Sequence, residues 1–111
     1  MARPERGPDL APIDRLLHAL GDPTRRRMIE LLSERPYSVS ALAEPFGVTV
    51  TAIAQHLRIL EEAGLVRSEK LGRVRSCQIE PKGLDAVRSW LNDRRSLWER
   101  RLDALTDVLK S

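Results

Sequence analysis

The spacing of apolar residues in the middle of the chain predicts an amphipathic α-helix. Intervals of four, three and four place on one side of a helix Ile53, Leu57, Leu60 and Gly64. Thr49 fits the N-cap of this helix, because its hydroxyl can accept a hydrogen bond from a first-turn amide. Gly64 fits the position after the last turn, where φ is often positive. We therefore expect a helix over residues 50–63.

The side opposite this apolar stripe carries short polar and hydrogen-bonding groups. At about 100° per residue, the residues that fall on it are Thr51, Ala54, Gln55, Arg58 and Glu62. Short side chains at the helix start leave room for close approach to the wall of a DNA groove. The Gln55 amide can pair with adenine in a bidentate manner, and the Arg58 guanidinium can reach a phosphate. The start of this helix is therefore the candidate base-contacting part of the chain.

An alternating pattern after this helix predicts a two-stranded β-hairpin over residues 66–79, with Gly72 at its turn. Its β-compatible apolar positions are Val66, Val74, Cys77 and Ile79. The hairpin has one acidic residue, Glu69, and four basic residues, which are Arg67, Lys70, Arg73 and Arg75. Positive charge concentrated near a projecting turn is typical of a hairpin that meets a phosphate backbone. A hairpin that is charged only for solubility is the alternative.

Capping residues upstream predict two more helices. Asp22 caps a helix over about residues 23–34. Ser38 caps a short helix that ends at Gly47 and is expected to end or distort at Pro45. The brief glycine-containing connection to the next helix is that of a helix-turn-helix. Three residues at the start of the helix over residues 23–34 either contact phosphate or are solvated: Arg25, Arg26 and Arg27.

Apolar stripes at both ends of the chain predict the surfaces of a homodimer. A helix over residues 10–20 carries Leu10, Ile13, Leu16, Leu17 and Leu20. A helix over residues 82–109 repeats an apolar residue every seven positions, at Leu84, Leu91, Trp98 and Leu105, joined by Val87 and Leu102. Such a helix extends about 40 Å, more than a small domain needs to cover itself. Part of its stripe should therefore bury against a second copy, the alternative being a cap over its own domain.

Composition favours an intracellular protein of one domain. The chain has 111 residues, a net charge of +3 and one cysteine. We expect the domain over residues 10–111 and a disordered tail over residues 1–9, which lacks the apolar centre of a secretion signal. No apolar run reaches the roughly 20 residues of a membrane span, so the expected location is the cytoplasm, away from membranes. Without a phosphate loop, a G-x-S-x-G elbow or an acid–base couple, we do not expect an enzyme.

Four short motifs lie together within residues 19–81. They are the helix start DPTRRR, the turn LAEPFG, the helix QHLRILEEAGLV and the hairpin GRVR. This combination resembles the winged helix-turn-helix core of the arsenical-repressor (ArsR) family of bacterial transcription regulators. The resemblance implies a homodimeric repressor that binds palindromic operators in double-stranded DNA and leaves them on sensing a signal.

The residues that bind metals in the best-known members of that family are missing here. The helix before residues 50–63 has no cysteine, and residues 82–109 have no histidine. The soft ligands of the chain are His18, His56 and Cys77, on three elements without ligand spacing. We therefore expect no metal and no cofactor, whereas a small-molecule effector stays open. Cys77 is either a small core residue or an oxidant sensor, and His56 either packs against a neighbouring helix or donates to a phosphate.

The sequence therefore predicts a mainly α protein with a small β-hairpin (α+β), a winged helix-turn-helix that dimerises through its terminal helices. We expect DNA contacts from Thr49, Val50, Thr51, Ala54, Gln55, His56, Arg58, Arg67, Lys70, Arg73 and Arg75. We expect dimer contacts from Leu10, Ile13, Leu16, Leu17, Leu84, Val87, Leu91, Trp98, Leu102 and Leu105. Two functional alternatives stay open, a winged-helix module for protein contacts and a metal- or redox-responsive repressor.

Overall fold

The structure, a computed structural model, describes residues 12–110. Its elements are α1 (Pro12–Leu20), α2 (Pro23–Glu34), β1 (Tyr37–Ser38), α3 (Val39–Ala43), a 3₁₀ turn (Glu44–Phe46), α4 (Val50–Glu62), β2 (Val66–Leu71), β3 (Val74–Ile79) and α5 (Pro81–Lys110). Helices α2, α3 and α4 form a helix-turn-helix, and β2 and β3 form a hairpin, called the wing below. The predicted fold class is confirmed. The predicted tail and Leu10 lie outside the described residues.

The helix-turn-helix begins and turns where its capping residues predict. α2 spans the predicted range, and the Asp22 carboxylate accepts a hydrogen bond from the Arg25 amide at 3.0 Å. Ser38 caps α3, because its hydroxyl accepts from the Ala41 amide at 3.1 Å. α3 then gives way to a 3₁₀ turn that contains Pro45. The expected distortion at this proline is therefore confirmed.

Side-chain and backbone caps fix both ends of α4. The Thr49 hydroxyl accepts from the Ala52 amide at 3.1 Å, as expected of an N-cap. Gly64 follows the helix with a φ of 82°. The Leu65 amide then donates to the Leu60 carbonyl at 2.9 Å, which is the longer bond of a Schellman motif. The helix ends one residue earlier than predicted.

The wing belongs to an antiparallel sheet in the order β1-β3-β2. Its turn consists of Gly72 and Arg73, and Gly72 alone of the two has a positive φ, of 65°, as in a type II′ turn. The prediction of two strands was incomplete, because β1 adds a third. Tyr37 of β1 pairs with Cys77 of β3, which places the base of the wing beside the start of α3. β3, the central strand of the sheet, therefore pairs with β2 on one side and with β1 on the other.

The core is formed by α1 to α4 and the sheet. Its buried apolar residues are Leu16, Ala19, Met28, Ile29, Leu31, Leu32, Tyr37, Leu42, Ala43, Ile53, Leu57, Leu60, Leu65, Val66 and Cys77. The first turns of α5 contribute Leu84 and Val87, which are half-buried against this core. All three apolar residues predicted for the inner stripe of α4 are buried. The opposite face of α4 is thereby turned towards solvent.

The second half of α5 leaves the body of the chain. Every residue from Leu91 to Lys110 is exposed, including Trp98 with 60% of its surface accessible. The alternative that this half caps its own domain is therefore wrong. Within the described range, none of the helices combines the length and hydropathy that crossing a membrane requires.

Candidate DNA-binding surface

The solvent face of α4 presents the side chains that the helical period placed there. Its exposed residues are Thr51, Ala54, Gln55, Arg58 and Glu62. The prediction that these side chains point away from the core is confirmed. Because the first turns carry small groups, the backbone of α4 can approach a surface closely at this end. A major groove admits an α-helix of this kind.

Two valines flank the N-cap of α4 and are unusually exposed for their type. Val48 has 48% and Val50 has 47% of its surface accessible. Val50 was predicted as a contact residue, whereas sequence reasoning missed Val48. Apolar side chains at this place can contact the methyl group of thymine in a major groove. The signal in the sequence was that Val48 is an apolar residue immediately before the N-cap and does not share the spacing of the buried stripe of α4.

Positive charge without an internal partner is concentrated at the wing tip. Among residues 12–110, no hydrogen bond or ion pair involves the side chains of Lys70 and Arg73. Arg73 borders a groove of about 320 Å³ that also includes Ser38, Ser40 and Arg75. This groove joins the wing to the start of α3. It therefore combines hydroxyl groups and guanidinium groups, both of which bind phosphate oxygens.

Arg75 is held by α4 instead of projecting from the wing. Its Nη2 lies 3.0 Å from Oε1 and 3.1 Å from Oε2 of Glu61, and its Nε donates to the Ser68 hydroxyl at 2.9 Å. The Ser68 hydroxyl in turn donates to Glu61 at 2.5 Å. This network ties both strands of the wing to the end of α4. It fixes the angle between the two predicted DNA-contacting elements.

The other two predicted phosphate ligands form looser ion pairs. Arg67 lies 3.7 Å from Glu80, and Arg58 lies 3.7 Å from Glu62. Arg58 and Glu62 are largely exposed, so their pairing contributes little to stability. Arg58 is therefore free to exchange its carboxylate partner for a phosphate.

A buried arginine of α2, Arg25, connects α2 with α1 and α4. Arg25 donates to the carbonyl oxygens of His18 and Ala19 at the end of α1, and its Nη1 lies 3.3 Å from His56 Nδ1 on α4. Both sequence alternatives for this arginine, phosphate contact and solvation, are therefore wrong. The neighbouring Asp22 carboxylate lies 4.0 Å from His56 Nδ1. The hydrogen bond from the Arg25 amide, aided by the nearby guanidinium, holds the pKa of Asp22 below its ordinary value of 3.8.

Cys77 lies at the centre of the sheet with no accessible surface. Burial, together with the nearby Glu61 carboxylate, raises the pKa of its thiol. The reactive form of cysteine is the thiolate, which this environment disfavours. The prediction of a core role is confirmed. His18 is exposed, and within residues 12–110 no group of three or more His, Cys, Asp or Glu side chains is placed to share a metal ion.

The residues predicted for the dimer interface differ in how far their own chain covers them. Leu16 is buried in the core, and a half-buried group borders the junction of α1 and α5: Ile13, Leu84 and Val87. The exposed group comprises Leu17, Leu91, Trp98, Leu102 and Leu105. The exposed group on α5 continues past Leu105 to the end of the helix. An apolar stripe that Arg94 and Arg101 interrupt therefore runs from the domain to the tip of α5.

A capped helix with a short-chained outer face, beside a basic hairpin, defines a DNA-binding protein of the winged helix-turn-helix class. Residues 22–68 match the profile of the arsR family of bacterial regulatory proteins. HTH-type transcriptional regulator Rv2034 of Mycobacterium tuberculosis is 39% identical over 98 residues, which cover 88% of this chain and 89% of that protein. The chain belongs to the ArsR family and is a DNA-binding transcription regulator, not an enzyme. The predicted family is therefore confirmed.

Solved structures of two relatives share this architecture. An ArsR-like transcriptional regulator from Rhodococcus sp. RHA1 is 32% identical with a TM-score of 0.80, over 90% of this chain and 92% of that one. The crystal structure of a further ArsR family transcriptional regulator is 40% identical with a TM-score of 0.76, over 80% of this chain and 98% of that one. The first of these similarities extends over most of the chain.

Proposed function

We propose that the protein is a cytoplasmic repressor that binds an inverted-repeat operator as a homodimer. The observation that carries the proposal is the exposed, short-chained start of α4 beside the unpaired cations of the wing. One surface thereby offers groups for base edges and groups for phosphates. Both kinds of group are needed for sequence-specific binding, because phosphate contacts position a protein and base contacts specify the site.

The start of α4 is assigned to the major groove. Its proposed base contacts come from Val50, Thr51, Ala54 and Gln55, with Thr49 at the adjacent backbone. Gln55 supports this assignment because its amide is exposed and can bond both the N6 and the N7 of adenine. Thymine methyl groups would be met by the exposed valines. The preferred half-site is therefore expected to contain A·T pairs.

Phosphates are assigned to exposed basic groups around this helix. Arg58, Lys70 and Arg73 carry the proposed contacts, because each is free of a strong internal ion pair. Arg67 and Arg75 remain proposed contacts that would share their cations with Glu80 and Glu61. Pairing two chains about a twofold axis would set the two α4 helices roughly 34 Å apart. This distance matches successive major grooves on one side of the duplex.

Arg73→Ala is expected to weaken binding to every duplex by a similar factor. Removing one phosphate-bound cation should lower the slope of log affinity against log salt concentration by about one per protomer. Fluorescence anisotropy on a duplex at several salt concentrations measures this slope. Lys110→Ala, which removes the same charge at the far end of α5, should leave the slope unchanged. An unchanged affinity and slope for Arg73→Ala would show that the wing does not bind DNA.

Gln55→Ala is expected to relax specificity at one base position of each half-site. The loss of a bidentate contact should cost about 1–3 kcal/mol on the preferred sequence and little on a non-specific duplex. Selection of binding sites from a random DNA pool, with the wild-type protein and the variant, measures the change. Retention of the same preference at every position would contradict the assignment of Gln55. This pattern also distinguishes DNA recognition from a protein-contact module, which would show no base preference.

A further inference from the structure

Arg25 is the one charged side chain in the buried core of residues 12–110, with 8% of its surface accessible. A buried guanidinium is costly unless its N–H groups are satisfied. Arg25 meets this requirement in three directions. Nε donates to the Ala19 carbonyl at 2.7 Å, Nη2 donates to the His18 carbonyl at 3.1 Å, and Nη1 points at His56 Nδ1. Both carbonyls belong to the last turn of α1, and the His18 carbonyl also accepts from the Gly21 amide at 3.1 Å.

This arrangement determines which nitrogen of His56 carries its proton. A guanidinium has donors and no acceptor, so a bond from Arg25 to Nδ1 requires Nδ1 to accept. In the neutral ring the proton then resides on Nε2. Two backbone anchors hold the guanidinium in place, and α4 supplies the third contact. Arg25 therefore sets both the tautomer and the orientation of the ring.

His56 lies at the edge of the face that α4 turns towards solvent. Its side chain is 29% accessible, and it follows Gln55 in the sequence. The Nδ1 edge faces the buried Arg25 and the Asp22 carboxylate. The opposite edge of the ring carries Nε2 and is turned away from these two groups, so we assign the accessible surface of the side chain to it. A DNA backbone flanking a major groove that holds α4 would pass this edge.

We infer that Arg25 is a positioning residue for DNA binding, which holds His56 so that its Nε2–H donates to a DNA phosphate. The inference rests on the proposed placement of α4 in the major groove. His56 thereby fulfils both roles that its sequence position left open, one with each ring nitrogen. A ring whose Nδ1 accepts from Arg25 is not protonated there, so the contact adds a hydrogen bond from a neutral donor without the release of a counterion.

Two amide substitutions of His56 separate the roles of its nitrogens. The amide of asparagine lies near the position of Nδ1, whereas the longer glutamine places an N–H near the position of Nε2. His56→Asn is expected to weaken binding to all duplexes about ten- to hundredfold with an unchanged salt slope, because it loses a hydrogen bond to a charged group. His56→Gln is expected to restore most of that affinity. Equal affinity of His56→Asn and the wild-type protein would overturn the inference.

The positioning role of Arg25 has a spectroscopic test that needs no affinity measurement. Nitrogen-15 NMR of the histidine rings should show His56 as the single Nε2–H tautomer in the wild-type protein. Arg25→Met should give a mixture of the two tautomers of His56. If Arg25→Met does not fold, the spectrum of the wild-type protein is the test by itself. An Nδ1–H tautomer in the folded wild-type protein would contradict the inference. If the His56 variants bind normally while Arg73→Ala and Gln55→Ala show their expected losses, only this inference fails and the proposed function stands.

Discussion

Leu105→Ala is expected to raise the dissociation constant of the homodimer by at least about a thousandfold. Leu105 is 54% accessible, on a stretch of α5 whose residues are all exposed within the described part of the chain. A large exposed apolar stripe of this kind marks a protein interaction site, and we expect a second copy of the chain to cover it. Truncating a buried leucine costs about 2–5 kcal/mol. The cost is counted once in each chain, and about 1.4 kcal/mol corresponds to a factor of ten.

Sedimentation equilibrium over a range of protein concentrations measures this change. Arg100→Ala is the matched control, because at about 100° per residue Arg100 lies on the side of α5 opposite Trp98 and Leu105. The control should remain as dimeric as the wild-type protein. Operator affinity should fall together with dimerisation, since one chain reaches only one half-site. A Leu105→Ala protein that dimerises normally would show that α5 is not the interface.

Gly83→Ala is expected to lower the free energy of unfolding by about 1–3 kcal/mol, the usual cost of overpacking. Gly83 is buried in the first turn of α5, against the turn that ends α4. A Cβ at this position would overlap the Gly64 carbonyl oxygen and lie 2.9 Å from the carbonyl carbon. Alanine is ordinarily the better helix former by up to about 1 kcal/mol. The clash is with backbone, which cannot rotate away, so we expect it to outweigh that gain.

Urea denaturation, followed by circular dichroism, measures the effect of Gly83→Ala. The transition midpoint should fall with little change in its slope. Lys82→Ala changes the exposed neighbouring residue and should alter stability by no more than about 0.5 kcal/mol. If Gly83→Ala were as stable as the wild-type protein, α5 would not be seated on the end of α4 as described.

Local signals in the sequence were sufficient for the helices and the wing turn. Caps such as Asp22, Thr49 and Gly64 act on backbone groups within a few residues, so their meaning does not depend on the rest of the fold. The outer face of α4 followed from the same kind of argument, because the period of a helix determines which side chains oppose the apolar stripe. The fold class could be predicted for this reason, whereas the family was predicted from the resemblance of four motifs within residues 19–81.

The state of individual arginines could not be predicted by counting charge. Arg25 precedes Met28, Ile29 and Leu32 at helical spacing, so it lies on the buried stripe of α2. Arg75 alternates in register with Cys77, which turns it towards α4 instead of away from it. Both signals were present in the sequence. Only the three-dimensional packing shows that the carbonyls of His18 and Ala19 bind Arg25 and that the Glu61 carboxylate binds Arg75.

Contacts between distant segments had no usable sequence signal. β1 contains two residues, which is too short for alternation to be visible, and its pairing with Cys77 depends on the folding of α3, α4 and β2, which lie between them in the chain. The approach of Gly83 to Gly64 likewise joins two elements across the wing. A glycine near a helix start predicts no particular neighbour. These features follow from tertiary packing, which local patterns do not encode.

The central claim is that two chains present their α4 helices to successive major grooves of one duplex. Selecting binding sites from random DNA and then sedimenting the protein with the selected duplex tests this claim most directly. We expect an inverted repeat with half-site centres about one helical turn apart, bound by two chains per duplex. An asymmetric site saturated by a single chain would contradict it.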